Sequence, residues 1–252
     1  MHSNFAPNQS FHKKVVTSEG GIVAAQHAEA ARVGAQVLAE GGNAVDAAVA
    51  ASFALGVVEP WMSGLGGGGL MVVRHPDGTV ETVDCGMRAP AGLRPEDYPL
   101  AEGQSEGLFA WPAVQGDTNM TGPLAIAVPG LVDGIGLAHR HWGTRDWGGL
   151  LDPAIALAKR GLLVDWYTSL VVGGGFAGLS RWPASRDWLL PTGAPPAVPL
   201  APKSQAFLPA PRLAATLEAR RASAPEGSYT QRLFEDPELL AAKLREEADE
   251  LL

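Results

Sequence analysis

One stretch, residues 43–70, constrains the fold of this chain more than any other. It reads NAVDAAVAASFALGVVEPWMSGLGGGGL, a run of small residues that leads into four consecutive glycines at 66–69. Asn43 is a good N-cap with Asp46 three residues on, and Glu59-Pro60 predicts the end of a helix. The helix is apolar on nearly every face and should be buried. The glycines permit close backbone contact, which predicts tight packing where an apolar strand begins.

The sequence on either side of this stretch predicts a strand, a helix and a hairpin. Residues 21–26 are short and apolar and predict a strand. Residues 28–40 have apolar positions on one helical face and end at two glycines, which predicts an amphipathic helix. Two apolar segments, 70–74 and 79–84, flank His-Pro-Asp-Gly and predict an antiparallel pair.

The second half of the chain alternates predicted helices with long segments that lack a period. Residues 91–124 are predicted to be an ordered loop, and helices are predicted from Pro129 to Gly143 and from Asp152-Pro153 to Gly161. The Gly-, Pro- and Trp-rich residues 173–211 are predicted to be irregular. Residues 236–252 predict an acidic helix that ends without a stop signal, as if the chain had been cut.

Composition excludes several classes of protein. The chain has 252 residues, of which 46% are hydrophobic and 18% charged, so a globular fold is expected. A net charge of -8 without a basic stripe argues against nucleic acid or an anionic membrane as partner. The N-terminus has no apolar signal region and no stretch is long enough to span a bilayer, which predicts a soluble, cytoplasmic chain.

The glycine run could be a nucleotide-binding loop instead of a site of tight packing. Gly64 to Gly69 fit the spacing G-x-G-x-x-G of dinucleotide-binding loops. That motif needs a strand, then the glycines, then a helix whose N-terminus receives the pyrophosphate. Here the order is helix, glycines, strand, so a nucleotide site is not favoured, and tight binding of a dinucleotide to the chain would be needed to restore it.

Local motifs supply neither a metal site nor a nucleophile. The six histidines have no metal-ligand spacing, and His27, at the end of a predicted strand, is more readily explained as structural than as a catalytic base. The single cysteine, Cys85, is expected to be a buried apolar filler. No G-x-S-x-G elbow is present. The residues alone therefore indicate a Gly-rich α/β or α+β domain and nothing more specific.

Three segments extend this interpretation because they resemble one enzyme family. Residues 21–73, with GGNAVDAAVA, LGVVEP and SGLGGGG, look like the N-terminal portion of the gamma-glutamyltranspeptidase family. AIAVPGLVDGIGLAHRHWGT and LLDPAIALAKRGLLV resemble two later segments of that family, in the same order. The resemblance covers residues 15–170, with weaker similarity near 213–240.

The resemblance implies a two-subunit enzyme of the N-terminal-nucleophile (Ntn) hydrolase fold, an α+β sandwich of four layers, αββα. Its precursors cut themselves before a threonine, which then serves as nucleophile with its own amino group as base. On this reading residues 1–14 are a flexible N-terminus and residues 15–252 are part of the large subunit. The small subunit carries the threonine, this chain holds no catalytic residue, its fold is incomplete alone, and no metal or organic cofactor is implied.

The segment after the second hairpin strand departs from the family pattern. Transpeptidases of the family have D-x-R-E-x-A-P there, with an arginine that holds the α-carboxylate of the glutamyl donor. In this sequence the arginine position is Gly86 and the glutamate position is Met87. A glutamyl donor is therefore poorly supported, and the segment looks more like the amidohydrolase and acylase branch of the family. Arg88 is the candidate substrate-binding residue; the alternative is a solvated surface arginine.

Two functions follow as hypotheses. The first is the large-subunit part of an enzyme that hydrolyses or transfers the acyl group of a small-molecule amide. The second is a truncated, catalytically inactive scaffold of the same fold whose only partner is another protein.

Overall fold

The computed structural model describes residues 15–105, 111–201 and 203–222. Helices and short strands are interspersed along these ranges, as an α+β fold requires. The elements are α1 (Ala28–Ala39), α2 (Ala44–Val58), β1 (Gly69–Arg74), β2 (Val80–Cys85), β3 (Leu100–Gln104), β4 (Pro112–Val114), α3 (Leu131–Trp142), α4 (Trp147–Arg160), β5 (Leu162–Leu163), α5 (Trp166–Gly174), α6 (Phe176–Leu179), α7 (Pro183–Leu189), β6 (Phe207–Leu208) and α8 (Pro211–Ala222).

Helix α2 lies at the centre of the helical layer. Helices α1, α3 and α4 pack against it, and α8 packs against α4. Phe53 and Val49 of α2 are fully buried, and the ring of Phe53 meets Trp147 edge to face at 5.5 Å between centroids. Burying a large apolar side chain of this kind stabilises the folded state by about 1.5–3 kcal/mol. The small residues of α2 let three helices approach it closely, which confirms that this helix is buried.

A complete capping box closes the N-terminus of α2, as the sequence predicts. The Asn43 side chain accepts from the backbone N–H of Asp46 at 3.0 Å, and Asp46 accepts from the backbone N–H of Asn43 at 2.9 Å. Asn43 also donates to the carbonyl of Trp142 at 2.6 Å, and Asp46 accepts from Thr144 and Arg145. The cap thus joins α2 to the connection between α3 and α4.

The predicted hairpin is formed by β1 and β2. The strands are antiparallel, with Gly69 opposite Cys85 and Arg74 opposite Val80. Met71, Val73 and Val83 pack on the helical core from one face of the hairpin. The described residues thus contain one layer of helices against one face of a two-stranded sheet.

Two sequence predictions for the helical half are corrected by the structure. Residues 21–26 form no strand, because the described residues provide no neighbouring strand for them to pair with. Helix α4 begins at Trp147 instead of Pro153, capped by Asp146, whose side chain accepts from the N–H of Gly149 at 2.9 Å. Pro153 lies inside this helix, where burial of Trp147 in the core offsets the lost backbone hydrogen bond.

The predicted loop and the Gly-, Pro- and Trp-rich segment contain more regular structure than expected. Strands β3 and β4 form a second antiparallel pair within residues 91–124. Residues 173–211 include α6, α7 and β6, while the chain between α7 and β6 has no regular element. Helix α8 follows directly. The predictions for residues 1–14 and for the helix at 236–252 lie outside the described residues. None of the helices in the described ranges has the length and apolarity needed to cross a membrane.

Candidate active-site wall

The segment after β2 is held in place by its backbone. Asp84 accepts from the N–H of Gly86 at 2.9 Å through its Oδ1 atom. Two residues later, Arg88 pairs with Val128 in an antiparallel bridge: the N–H of Arg88 donates to the Val128 carbonyl at 3.1 Å, and the reverse bond measures 2.9 Å. Residues 84–88 therefore form a fixed wall whose side chains leave from defined positions.

The glycine run lies directly against this wall. An added Cβ at Gly68 would sit 2.6 Å from the backbone nitrogen of Met87 and 2.7 Å from the carbonyl oxygen of Cys85. The carbonyl of Gly67 accepts from the N–H groups of Gly130 and Leu131, at 3.1 and 3.0 Å, at the start of α3. The predicted tight packing at the glycines is therefore confirmed, and its partners are the wall and the N-terminus of α3.

Cys85 is a packing residue of this junction. It is half-buried, and its thiol donates to the carbonyl of Gly69 at 3.1 Å. Gly134 of α3 lies so close that a side chain there would collide with the Cys85 side chain. Burial raises the pKa of the thiol above its ordinary value, which disfavours the thiolate that a nucleophile needs. The sequence-based interpretation of Cys85 as a filler agrees with this environment.

A cavity of about 210 Å³ opens between the wall and α3. Arg88 lines it together with two carboxylates, Asp84 and Asp133. Met87, by contrast, points away from the core and is 60% exposed. The cavity is smaller than the roughly 300–1,000 Å³ of pockets for drug-sized ligands, so it has room only for a small group.

Sequence reasoning missed Val128 and Asp133 as neighbours of Arg88. They lie about 40 residues further along the chain, and the pairing of Val128 with Arg88, together with the packing of α3 on β2, brings them to the wall. His27 is N-cap of α1, where its Nδ1 atom accepts from the N–H of Glu29 at 3.2 Å, in agreement with a structural role. Within the described ranges no three His, Cys, Asp or Glu side chains are placed to hold a metal ion.

Comparison with known proteins identifies the relatives of this chain. The family model described as gamma-glutamyltranspeptidase matches residues 30–240. The glutathione hydrolase proenzyme of Bacillus subtilis is 39% identical over 187 residues, which cover 73% of this chain and 30% of that protein. The acylase ACY 1 proenzyme of a Pseudomonas strain is also 39% identical, over 183 residues, covering 73% and 32%. The chain thus spans about a third of the length of these relatives.

Solved structures of the same kind share the fold. The gamma-glutamyltranspeptidase of Helicobacter pylori aligns with a TM-score of 0.71 and 26% identity, covering 85% of this chain and 57% of that one. The Pseudomonas nitroreducens enzyme, solved with L-DON, aligns with a TM-score of 0.71 and 29% identity over 92% and 62%. A cephalosporin acylase from Bacillus halodurans has a TM-score of 0.72 at 24% identity, over 91% and 40%, and supports the fold alone.

Proposed function

Because this chain belongs to the gamma-glutamyltranspeptidase family, we propose that it is the large-subunit part of an enzyme that hydrolyses an amide or transfers its acyl group. The nucleophile is an N-terminal threonine carried by a small subunit outside this chain. The observation that carries the proposal is the family match over residues 30–240, together with relatives that are glutathione hydrolase and acylase proenzymes.

The outer face of the hairpin supports a second subunit as partner. Leu70, Val72 and Val80 lie on the face of β1 and β2 opposite the helices and are 78%, 68% and 58% exposed. Three adjacent aliphatic side chains on one sheet face are a patch that normally packs against another protein surface. In a four-layer αββα sandwich, the second sheet covers this face, and the small subunit is the part of the enzyme that would supply that cover.

The acyl donor is proposed to be a small acid amide that is not a glutamyl compound. The wall has Gly86 and Met87 where the transpeptidases have arginine and glutamate. Loss of an arginine guanidinium reduces the binding free energy by about 1.5–3 kcal/mol for each charged hydrogen bond that it made to the donor carboxylate. The glutathione hydrolase and the acylase relatives are both 39% identical to this chain, so overall identity does not distinguish the two kinds of donor. The proposal of an acylase-like donor therefore rests on residues 86 and 87 of the wall.

The proposal is tested with the complete two-subunit protein. We expect it to cleave amides of small acids with a kcat/KM at least about tenfold above that for a gamma-glutamyl anilide, a difference of about 1.4 kcal/mol. Mass spectrometry of the trapped acyl-enzyme would identify the threonine as the acylated residue. Efficient glutamyl transfer would contradict the substrate assignment. Assembled subunits that cleave no amide would instead favour the inactive scaffold.

Restoring the arginine makes the substrate test sharper. An added Cβ at Gly86 would lie 3.2 Å from the Asp84 Oδ1 atom, a contact that a small shift of this side chain relieves while it keeps its hydrogen bond from the Gly86 N–H. The Gly86→Arg variant should therefore fold and should raise the kcat/KM for glutamyl donors by about tenfold, since one forked pair is regained.

Arg88 is proposed to contact the polar end of the acyl donor. It lines the cavity beside Gly86, and its backbone is fixed by Val128. Asp84 and Asp133 share the cavity and repel a carboxylate, so binding has to occur on the Arg88 side. We expect Arg88→Ala to raise the KM for the donor by about tenfold with little change in kcat, as for a lost uniform binding contact.

The matched control is Arg88→Lys, which keeps the charge and loses the planar fork. It should recover part of the binding if Arg88 meets the substrate. Equal KM values for wild type, Arg88→Ala and Arg88→Lys would show that Arg88 does not contact the acyl donor.

A further inference from the structure

Glu59 is a buried acid with one carboxyl oxygen that is unpaired in the described part of the chain. It follows the last residue of α2, is only 3% exposed, and its Oε2 atom has no hydrogen-bond partner among the described residues. Two ionisable groups face it from other elements: His27 at the start of α1 and Asp165, the N-cap of α5. Burial raises the pKa of Glu59, His27 opposes this effect, and Asp165 adds to it. The site therefore suits the neutral carboxyl better than the carboxylate.

The backbone of Glu59 begins the turn that leads to the glycine run. Its carbonyl accepts from the N–H groups of Met62 and Ser63 at 3.0 and 2.9 Å. A second tight turn follows, in which the N–H of Gly67 donates to the carbonyl of Gly64 at 2.9 Å. Residues 59–67 thus form two successive turns held by local backbone hydrogen bonds, and the buried side chain of Glu59 lies at the start of the first turn.

The other end of this turn rests on the active-site wall. Gly67 caps the N-terminus of α3, and Gly68 lies against the backbone of residues 85–87 with no room for a Cβ. A displacement of the turn at Glu59 would therefore be passed to Gly68 and then to the wall that carries Gly86 and Arg88. The link is made of close backbone contacts, which transmit small shifts.

We propose that Glu59 is a positioning residue for the acyl-donor site: its buried side chain fixes the start of turn 59–68, which rests on the wall through Gly67 and Gly68, and a negative charge on that side chain loosens both. The inference rests on the proposed function for its effect on substrate, while its structural part concerns this chain alone.

The direction of the pH effect follows from the environment of the carboxyl. An acid that is harder to ionise in the folded state stabilises its surroundings below its ordinary pKa, and this contribution is lost as the pH rises through the folded-state pKa. In a carboxylate formed at Glu59, the Oε2 atom has no hydrogen-bond donor among the described residues, and the negative charge of Asp165 opposes the attraction of His27. The turn should therefore open as the pH rises through the raised pKa of Glu59.

The experiment measures hydrogen exchange of the complete enzyme in peptides that span residues 59–69, corrected for the intrinsic exchange rate, from about pH 5 to about pH 8. In wild type we expect exchange in these peptides to increase at least tenfold over this range. The neutral isostere Glu59→Gln should remove this pH dependence. The matched control is Glu96→Gln, an exposed glutamate remote in sequence from the turn, which should behave as wild type.

A second variant keeps the test valid if Glu59→Gln folds poorly. Asp165→Asn can still cap α5, but it removes the anion that opposes ionisation of Glu59, so the transition in exchange should move to lower pH. The kinetic readout is the KM for the acyl donor, which should rise with pH in wild type and stay flat in Glu59→Gln.

The outcomes separate the two proposals. A pH dependence of exchange that persists unchanged in Glu59→Gln, or that is missing from wild type, overturns the role of Glu59. An enzyme that shows the exchange transition but cleaves no amide leaves the Glu59 anchor in place and removes the proposed function.

Discussion

Replacing Asp46 with alanine is expected to lower the free energy of unfolding by about 3–5 kcal/mol. Asp46 is fully buried, and its carboxylate receives four donors: the N–H groups of Asn43, Thr144 and Arg145 and the Thr144 hydroxyl, the last at 2.6 Å. Alanine would leave these donors without an acceptor in the interior. Each buried donor that loses its partner costs about 1–3 kcal/mol, and partial access of water reduces the sum.

The measurement is urea unfolding of the complete protein, compared across a graded series. Asp46→Asn keeps the volume but directs an NH₂ group at backbone donors, so we expect roughly half the loss of the alanine variant. Asp187→Asn changes an exposed aspartate of α7 and should stay within about 0.5 kcal/mol of wild type.

The Asp46 carboxylate should also account for part of the fall in the free energy of unfolding at acidic pH. Burial alone would raise the pKa of Asp46, but the hydrogen bonds from Thr144, Asn43 and Arg145 hold it below the ordinary 3.8. Its contribution is therefore present above pH 3.8 and is lost as the pH falls through the lower folded-state value. Asp46→Asn should lack this acid-dependent step. Equal stability of all three variants would show that the cap is not a structural anchor.

This anchor illustrates which part of the fold the sequence could predict. The capping box of Asn43 and Asp46 is local, joins two residues three positions apart, and follows from their spacing. The other half of the cluster, Thr144 and Arg145, lies 98 and 99 residues from Asp46, and no local pattern points to it. The start of α4 differs from the prediction for a similar reason, because the core position of Trp147 outweighs the start signal that Asp152-Pro153 provides.

The candidate site divides in the same way. The identity of residues 84–90 and their departure from the family pattern can be read from the sequence, and so can the candidate Arg88. The cavity cannot, because Val128 and Asp133 reach it through long-range contacts: the bridge to Arg88 and the packing of α3 on β2. Glu59 was predicted as a helix end, which the structure confirms, but its missing hydrogen-bond partner depends on how α1 and α5 pack around it.

The second large effect is expected at the glycine run, where Gly68→Ala should destabilise the protein by about 2–3 kcal/mol. An added Cβ would lie 2.6 Å from the Met87 nitrogen, 2.7 Å from the Cys85 oxygen and 2.9 Å from the Gly86 carbonyl carbon. All three are backbone atoms of the wall, so none can move without shifting residues 85–88. We therefore expect the same variant to lower kcat/KM by at least about tenfold, since a displacement of about 1 Å can cost up to about a hundredfold.

Gly66→Ala is the matched control, two residues away in the same run. Nothing lies within 4 Å of a Cβ at this position, and its φ is not in the left-handed region, so alanine should be neutral or stabilise by up to about 1 kcal/mol. Thermal unfolding and kcat/KM of the two alanine variants, measured side by side, separate the effect of the contact from that of a lost glycine. If both variants were equally tolerated, the close contact between Gly68 and the wall would not position the site. If both were equally harmful, flexibility of the run would be the requirement, because a steric clash exists only at Gly68.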